Sequence, residues 1–576
     1  MTHAPLWPVS KAPVRRPARK RPDGTRRVRL APINRGQSCF RVIVIDQLIE
    51  PDHPARAIEA FVRQLDLSAF EAPLRAREGI AGRTPFDPHL LVCLWIYAYS
   101  RSIHSAREIA RRCEYEPAFQ WLTALRSINP HTLSDFRVAH QKALDALFAQ
   151  SLAVLRAEGL VTYERIAHDG TKVRADAGVD SYRRASTVRE HLEAARAHVA
   201  AVNQAREQAA SARQYAAQQR AARERVARLE RAVAQFEALQ APEPVPPSSA
   251  PAAPDPASPA PTEGVAPVDP PEAPAPTPAP ARETSAVASE PPAPPAKAPA
   301  PAKPAERRVS LTEPSVPIMK QSDGGYAPAY NVQISTDAAG GFIAEAHVTV
   351  APNDQGELPA AVDRLVARSG RVPGQMLVDG GYVQRPVIEA MAQAGVDLIG
   401  PLPDTRGAAL TSLRRRGVSE AFYPQAFTYD PQQDVYTCPA GQLLRHAGVR
   451  QRRGLTVHTY RATRACCQAC PYKPRCCGST TSTGRSITRN VEPPAVQAFR
   501  QKMATPAAQA LLRTRGALAE FTNAWLKAKI GLRRFHVRGA QAVQCEVLWA
   551  ALAYNLMRRR THPQSVARTA REALAG

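Results

Sequence analysis

Residues 375–382 read QMLVDGGY, a short and mostly apolar run that stops at Asp379 and two glycines. Such a run predicts a buried strand whose exit carries a carboxylate at a turn. The flanks extend the pattern: Leu358–Ser369 predicts a helix before it, Val387–Ala394 a helix after it, and Val396–Gly400 another strand. Further back, Ala329–Thr336 (AYNVQIST) and Phe342–Val350 (FIAEAHVTV) alternate in character around a turn at Asp337–Gly341, which predicts a hairpin. Earlier still, residues 161–176 (VTYERIAHDGTKVRAD) predict a strand, a tight turn at Asp169-Gly170 and a second strand. Two late helices are predicted over Pro506–Lys529 and Gln541–Arg560. The order predicts an α/β core with two large insertions.

The first insertion begins near residue 184. Residues 184–240 are rich in Ala, Arg, Gln and Glu, with Val226, Leu229, Val233, Phe236 and Leu239 in an apolar stripe, which predicts a helical hairpin or short coiled coil. Residues 241–306 hold 23 of the 54 prolines and bury no core, so an extended, disordered spacer is expected there. The second insertion holds six of the ten cysteines, between 438 and 477. Ahead of the core, helices are predicted over Pro54–Leu65, Pro88–Ser100, Ser105–Cys113, Pro130–Phe148 and Phe148–Glu158. Asn129-Pro130 supplies an N-cap and a first-turn proline, and places His131 and Arg137 on the exposed start of a helix suited to a DNA groove.

The chain of 576 residues carries 76 Lys+Arg against 51 Asp+Glu, a net charge of +25, which calls for a polyanionic partner. Ten of those cations, against one acid, fall in residues 1–36, expected as a disordered basic arm. The longest apolar run, Leu90–Tyr99, is about half a membrane span, and the Arg-rich start has no apolar stretch behind it. No membrane partner and no export are expected, and the location expected is cytoplasmic, at the nucleoid. Cys39, Cys93, Cys113 and Cys545 stand among apolar residues and are expected as core thiols.

Scattered carboxylates beside cations are the candidate chemistry. Asp169 and Asp379 each precede glycine at a strand; alone, that marks a turn. Residues 513–538 (RTRGALAEFTNAWLKAKIGLRRFHVR) put Glu520 and Lys527 two helical turns apart, on one face, with Arg533, Arg534 and Arg538 close behind. Carboxylates can hold cations, and Lys and Arg can hold a phosphate backbone. In the second insertion, Cys438, Cys467, Cys470 and Cys476 have spacing suited to a four-thiolate Zn²⁺ site, with Cys466 and Cys477 as substitutes or bystanders.

An ordered set of segments resembles one family, the DDE transposases of bacterial insertion sequences. Leu48–Pro54 (LIEPDHP), Pro85–Pro88 (PFDP) and Asn129–Arg137 (NPHTLSDFR) resemble its helical N-terminal domain. Ile166–Lys172 (IAHDGTK) resembles the first-Asp segment, Ala329–Asp337 and Ala351–Leu358 (APNDQGEL) the next strands and their exit, and Leu377–Tyr382 (LVDGGY) the second-Asp motif. Glu520 and Lys527 keep the family spacing, followed by Gly531–Gly539 (GLRRFHVRG) and Ala553–Arg558 (AYNLMR). The Tyr and Arg often found seven and four residues before the Glu are Arg513 and Gly516 here, with Arg515 one place off.

The resemblance implies a ribonuclease H-like mixed sheet with flanking helices. It also implies direct transesterification on double-stranded DNA, at the element's ends and a target, by at least two protomers. Asp169, Asp379 and Glu520 would hold two Mg²⁺ (or Mn²⁺), with Asp354 as the second-choice carboxylate. The alternative is a catalytically inactive, transposase-derived DNA-binding protein. The expected layout is a basic arm (1–38), a helical DNA-binding domain (39–160), a catalytic core (161–183, 316–404 and 491–560), a helical insertion (184–240), a spacer (241–315), a Cys-rich insertion (405–490) and a basic tail (561–576).

Overall fold

The computed structural model describes residues 42–74, 76, 84–204, 211–240, 307–401, 406–452, 455–477 and 484–563. The basic arm, residues 241–306 of the expected spacer, Cys39 and all but the start of the basic tail lie outside the described residues.

Seven helices come first: α1 (Pro54–Val62), α2 (Ser68–Glu71), α3 (Pro88–Ser100), α4 (Ala106–Tyr115), α5 (Pro117–Thr123), α6 (Pro130–Ala139) and α7 (Gln141–Ala157). Their starts are written in the sequence. Asp87, Ser105 and Asn129 accept backbone N–H groups at the caps of α3, α4 and α6, and proline occupies the first turn of α3 and α6. The break between α6 and α7 falls at His140, not at Phe148 as the sequence suggested. His140 leaves helical geometry and packs its ring on Phe70 and Phe136, with centroids 5.5 and 5.1 Å away. The apolar run at Leu90–Tyr99 is mostly buried inside this layer, and among the described residues no helix is long and apolar enough to cross a membrane.

The central sheet begins with β1 (Arg165–Arg174), and here the sequence reading is corrected. Asp169-Gly170 is no turn: β1 runs straight through it, pairing antiparallel with β5 from Ile166 to Arg174. The chain then leaves through β2 (Tyr182–Arg184), α8 (Ala185–Gln204) and α9 (Ala212–Gln240), and returns through β3 (Arg308–Ser310), which pairs with β2. Val188, Leu192, Leu229, Ala232, Phe236 and Val309 close a small separate core, so α8 and α9 form the predicted hairpin. The return strand also shortens the expected spacer. Residues 307–315 are structured, with Glu313 buried and accepting from the Tyr330 hydroxyl at 2.6 Å.

The sheet continues through β4 (Ile318–Lys320), β5 (Tyr326–Asp337), β6 (Ile343–Thr349), β7 (Gln375–Leu377) and β8 (Asp397–Ile399), with α10 (Glu357–Ser369) and α11 (Arg385–Gln393) between the later strands. β4 and β6 pair with β5, β5 pairs antiparallel with β1, and β1, β7 and β8 are parallel. This mixed sheet with flanking helices is the fold class read from the sequence and is consistent with a ribonuclease H-like core.

After α12 (Arg406–Arg415), a five-stranded antiparallel sheet is built from β9 (Thr428–Asp430), β10 (Val435–Thr437), β11 (Leu443–Arg452), β12 (Leu455–Arg461) and β13 (Ser486–Val491). Between its last two strands lie α13 (Arg464–Gln468) and α14 (Lys473–Cys476). The chain ends in α15 (Pro494–Met503), α16 (Pro506–Ala528) and α17 (Ala540–Thr561).

α17 joins the layers. Gln544 and Asn555, three turns apart on one face, bond the backbone of Ala346, Val348 and Ile343 along the open edge of β6. On the other side, the Trp549 indole donates to the Arg137 carbonyl at 3.1 Å. A single apolar core therefore runs from α1 through the sheet to α17.

Candidate active site

Parallel register brings the first two carboxylates together. Ala167 of β1 pairs with Leu377, the last residue of β7. Two residues further along stand Asp169, still on β1, and Asp379, just past the end of β7, near enough for the charge of one to act on the other. Because β7 stops at Leu377, that side of β1 is open beside Asp169. The Asp379 turn is held by a hydrogen bond from the Gly381 N–H to Asp379 Oδ1 at 2.8 Å.

On the opposite face of β1 and β5 lies a buried polar layer that sequence reasoning missed. Tyr382, just past the Asp379 turn, donates its hydroxyl to Gln333 Oε1 at 2.6 Å. His168 Nε2 reaches the same oxygen at 2.9 Å, and His168 Nδ1 lies 2.9 Å from Ser335 Oγ. Gln333 turns its amide N–H to Asp354 at 2.8 Å. The pattern is consistent with a neutral His168 protonated on Nε2, and burial pulls its imidazole down to about 4. The alternation of β5 (Asn331, Gln333, Ser335) on one face was the available signal, since inward polar residues on a strand must find partners.

α16 packs on the other face of the sheet, the one that carries Asp169 and Thr336. Thr522 Oγ1 sits 3.2 Å from Thr336 Oγ1 on β5. One residue on, Asn523 donates its amide to Asp169 Oδ2 at 3.0 Å. Arg515, two turns before Asn523, stands between two carboxylates, 3.9 Å from Asp169 Oδ2 and 3.8 Å from Glu520 Oε1. The helix therefore presents Arg515, Asn523 and Lys527 to Asp169, while Glu520 keeps 71% of its side chain exposed against 17% for Asp169. Gly516 lies four residues before Glu520, and a Cβ there would meet the glutamate Oε1 at 3.4 Å, an ordinary contact.

Burial pushes the Asp169 carboxyl up to about 6; the Arg515 guanidinium opposes this, and the charges of Asp379 and Asp354 add to it. Burial likewise lowers the Lys527 ammonium, against the pull of Asp169, with Arg533 adding to the lowering. A buried carboxylate facing like charges penalises folding wherever it is ionised. Its raised pKa means that the penalty is absent below the unfolded value, about 4, and grows to full size above about 6. Asp169→Asn is accordingly expected to raise the melting temperature of the metal-free protein near neutral pH by a few degrees, on the order of 1 kcal/mol, and not below about pH 4. Melting curves in chelator at the two pH values check this; equal melting of mutant and wild type near neutrality refutes it.

The donor set fits a hard divalent cation: it is made of carboxylates whose mutual repulsion is eased here by Arg515 and Lys527. As placed, no three His, Cys, Asp or Glu side chains among the described residues already close around a metal position.

The residues expected to meet DNA divide. His131 is exposed and lines an open groove with His104, Arg107, Ser134, Asp176 and His536, where α4, α6 and the segment before α17 meet. Arg137 is a correction: it is buried, donates to the His104 carbonyl at 2.7 Å and lies over the Trp95 ring, so it braces helices rather than facing outward. Arg534 and Arg538 both bond Asp176 while remaining about half exposed, and Arg533 is exposed with its Nε on the Lys527 carbonyl.

In the Cys-rich insertion, one small pocket is lined by all six clustered cysteines, from Cys438 to Cys477. The Gln442 and Arg485 N–H groups point at Cys438 and Cys467 sulfur, each 3.3 Å away. Cys477, read from sequence as a substitute ligand or a bystander, is buried and interacts with Cys467 and Cys476. Burial pushes the Cys476 thiol up to about 12, with Cys477 adding to it. Cys93, Cys113 and Cys545 are buried, as expected of core thiols.

A mixed sheet that sets two aspartates side by side, with a basic helix across them, defines a candidate nucleic-acid-processing enzyme. Two family models match the chain: one described as Transposase domain (DUF772) over residues 43–139, and one described as Transposase DDE domain over residues 437–559. They indicate an insertion-sequence transposase of the DDE type, with DNA as the partner the family implies. The second match takes in Glu520 and Lys527, while Asp169 and Asp379 lie between the two matched regions. No curated protein and no solved structure gives a significant match.

Proposed function

We propose that this chain cleaves the ends of an insertion sequence and joins them to target DNA by metal-dependent phosphodiester chemistry. The observation that supports this reading is the parallel pairing of β1 and β7, whose neighbouring ends lead to Asp169 and Asp379, with Asn523 of α16 donating to Asp169. Asp169, Asp379 and Glu520 are the residues that would hold two Mg²⁺ (or Mn²⁺). When bound, such ions activate the attacking water or 3′-hydroxyl and stabilise the leaving oxygen. Glu520 joins the aspartates by leaving Arg515, and Arg515 is then free to meet a phosphate. Lys527 and Arg533 grip the backbone of the element's end, and the exposed His131 groove takes a further stretch of duplex. Joining two ends requires at least two protomers, acting at the nucleoid. In the Cys-rich insertion, Cys438, Cys467, Cys470 and Cys476, with Cys477 beside them, would hold a structural Zn²⁺.

The test is incubation of the purified chain with DNA carrying the element's ends. Mg²⁺-dependent nicking at those ends supports the reading. Tight end binding without nicking under Mg²⁺ or Mn²⁺ favours an inactive, transposase-derived DNA-binding protein. Lys527→Ala is expected to weaken end binding and to lower the slope of log affinity against log salt by about one phosphate contact. An unchanged slope in gel-shift titrations removes Lys527 from the DNA contact.

A further inference from the structure

The Cys-rich insertion leaves one face of its five-stranded sheet open. Pairing along β10 to β13 puts Leu444, Tyr460 and Ile487 on one face, where the cysteine segment packs on them. The residues between them point the other way. They are Arg445 and Arg450 on β11, Arg461 on β12, and Ser486, Thr488 and Asn490 on β13, all exposed.

This open face is cationic and uncompensated. Residues 435–491 hold ten Lys or Arg and no Asp or Glu, where the chain's overall frequency, 51 acids in 576 residues, would place about five. Arg445 and Arg461 stand directly opposite one another across the β11–β12 ladder, and like charges so placed cost stability unless an anion offsets them. The acids that bracket the stretch do not supply one. Asp434 accepts from the Tyr429 and Tyr460 hydroxyls on the covered face, and Glu492 is paired with Arg500. On the open face Asp430 lies on the outermost strand, β9, where its Oδ1 accepts from the Gln432 and Gln433 N–H groups. Among the described residues no ion pair reaches Arg445, Arg450 or Arg461; the pairs on either side use Arg489 and Arg500.

We propose that this open face is a second DNA-binding surface, which grips the phosphate backbone of a duplex without reading its bases. The proposal rests on the reading of the chain as one that acts on DNA. Arginines interleaved with Ser, Thr and Asn are groups that hold phosphate oxygens. Strands about 4.8 Å apart make a five-stranded sheet about 19 Å wide, too wide to enter a major groove of about 12 Å. The face therefore meets backbone rather than base edges.

The experiment uses the full chain in gel-shift titrations over a range of salt, on DNA carrying the element's ends and on an unrelated duplex of the same length. Arg445→Ala with Arg461→Ala is expected to weaken binding about tenfold on both DNAs alike, and to lower the slope of log affinity against log salt by about two phosphate contacts. The same variant is expected to melt no lower than wild type, because it removes two opposed like charges. Arg445→Lys with Arg461→Lys, which keeps the charges, is expected to keep the slope. Arg450→Glu, on the same face, serves if the double variant does not fold. Wild-type affinity and slope on both DNAs in a folded variant overturn the proposal and leave the reading of the chain intact. A loss confined to the end DNA also overturns it, since that would be base reading. Absence of duplex binding by wild type overturns the reading of the chain itself, and this proposal with it.

Discussion

Replacing Asp169 or Asp379 by Asn is expected to abolish nicking at the element's ends, by a factor on the order of a thousand or more, with end binding nearly unchanged. The two functions draw on different atoms. Affinity for duplex comes mostly from cations along the surface, and the chain carries a net charge of +25. Chemistry depends on carboxylates that meet at the β1–β7 register and contribute little attraction to a polyanion. The single losses should not add, because the residues share the same ions, so the double mutant should be no worse than either single one. Glu520→Gln separates two states of the site. If Glu520 joins the aspartates on DNA, its loss should match theirs in nicking. Gel shift and nicking on the same DNA check all three variants; wild-type-like nicking by any one removes that residue from the site.

Much of this site was legible in the sequence because the strands carry their own signals. QMLVDGGY ended its strand where expected, and β5, β6, α10 and α16 fall within a few residues of their predicted spans. The turn assigned to Asp169-Gly170 was not legible correctly. Glycine after aspartate usually marks a turn, and what it marks here is a close approach by Asp354, 184 positions further along the chain and beyond β5 and β6, which no local pattern reports. Arg137 failed for a similar reason. Its position on α6 is polar in sequence, but α3 and α17 cover it with Trp95 and Trp549, and only tertiary packing reveals that. The equality of Glu520 with the aspartates also exceeded what spacing can show. Glu520 and Lys527 share a helical face, yet Asn523 and Arg515 are the side chains that reach Asp169.

Purified protein is expected to carry about one Zn²⁺ per chain, and Cys467→Ser with Cys470→Ser is expected to lose it. The end of the sheet that bears the cysteines rests on two small apolar clusters, one of them Leu413, Val418 and Phe422 with Cys476 against it. The other is built on Phe427, Leu444, Tyr460, Ala462 and Ile487, with Cys438, Cys467 and Cys476 packed against it. α13 and α14 are five and four residues long, too short to persist without a tether. Clustered thiols supply that tether when a soft cation draws them together. The N–H groups of Gln442 and Arg485 already point at two of the sulfurs, as donors to a thiolate would. Loss of the ion should therefore loosen the segment from Arg464 to Cys476 first, and only then the five-stranded sheet. Elemental analysis measures the metal, and limited proteolysis between residues 464 and 476 measures the loosening, which should rise by an order of magnitude or more in the double mutant. The central sheet has its own core, so end binding should survive the change. Protein free of zinc as purified, with the same proteolytic pattern in wild type and double mutant, would show that the six thiols stand reduced and unliganded.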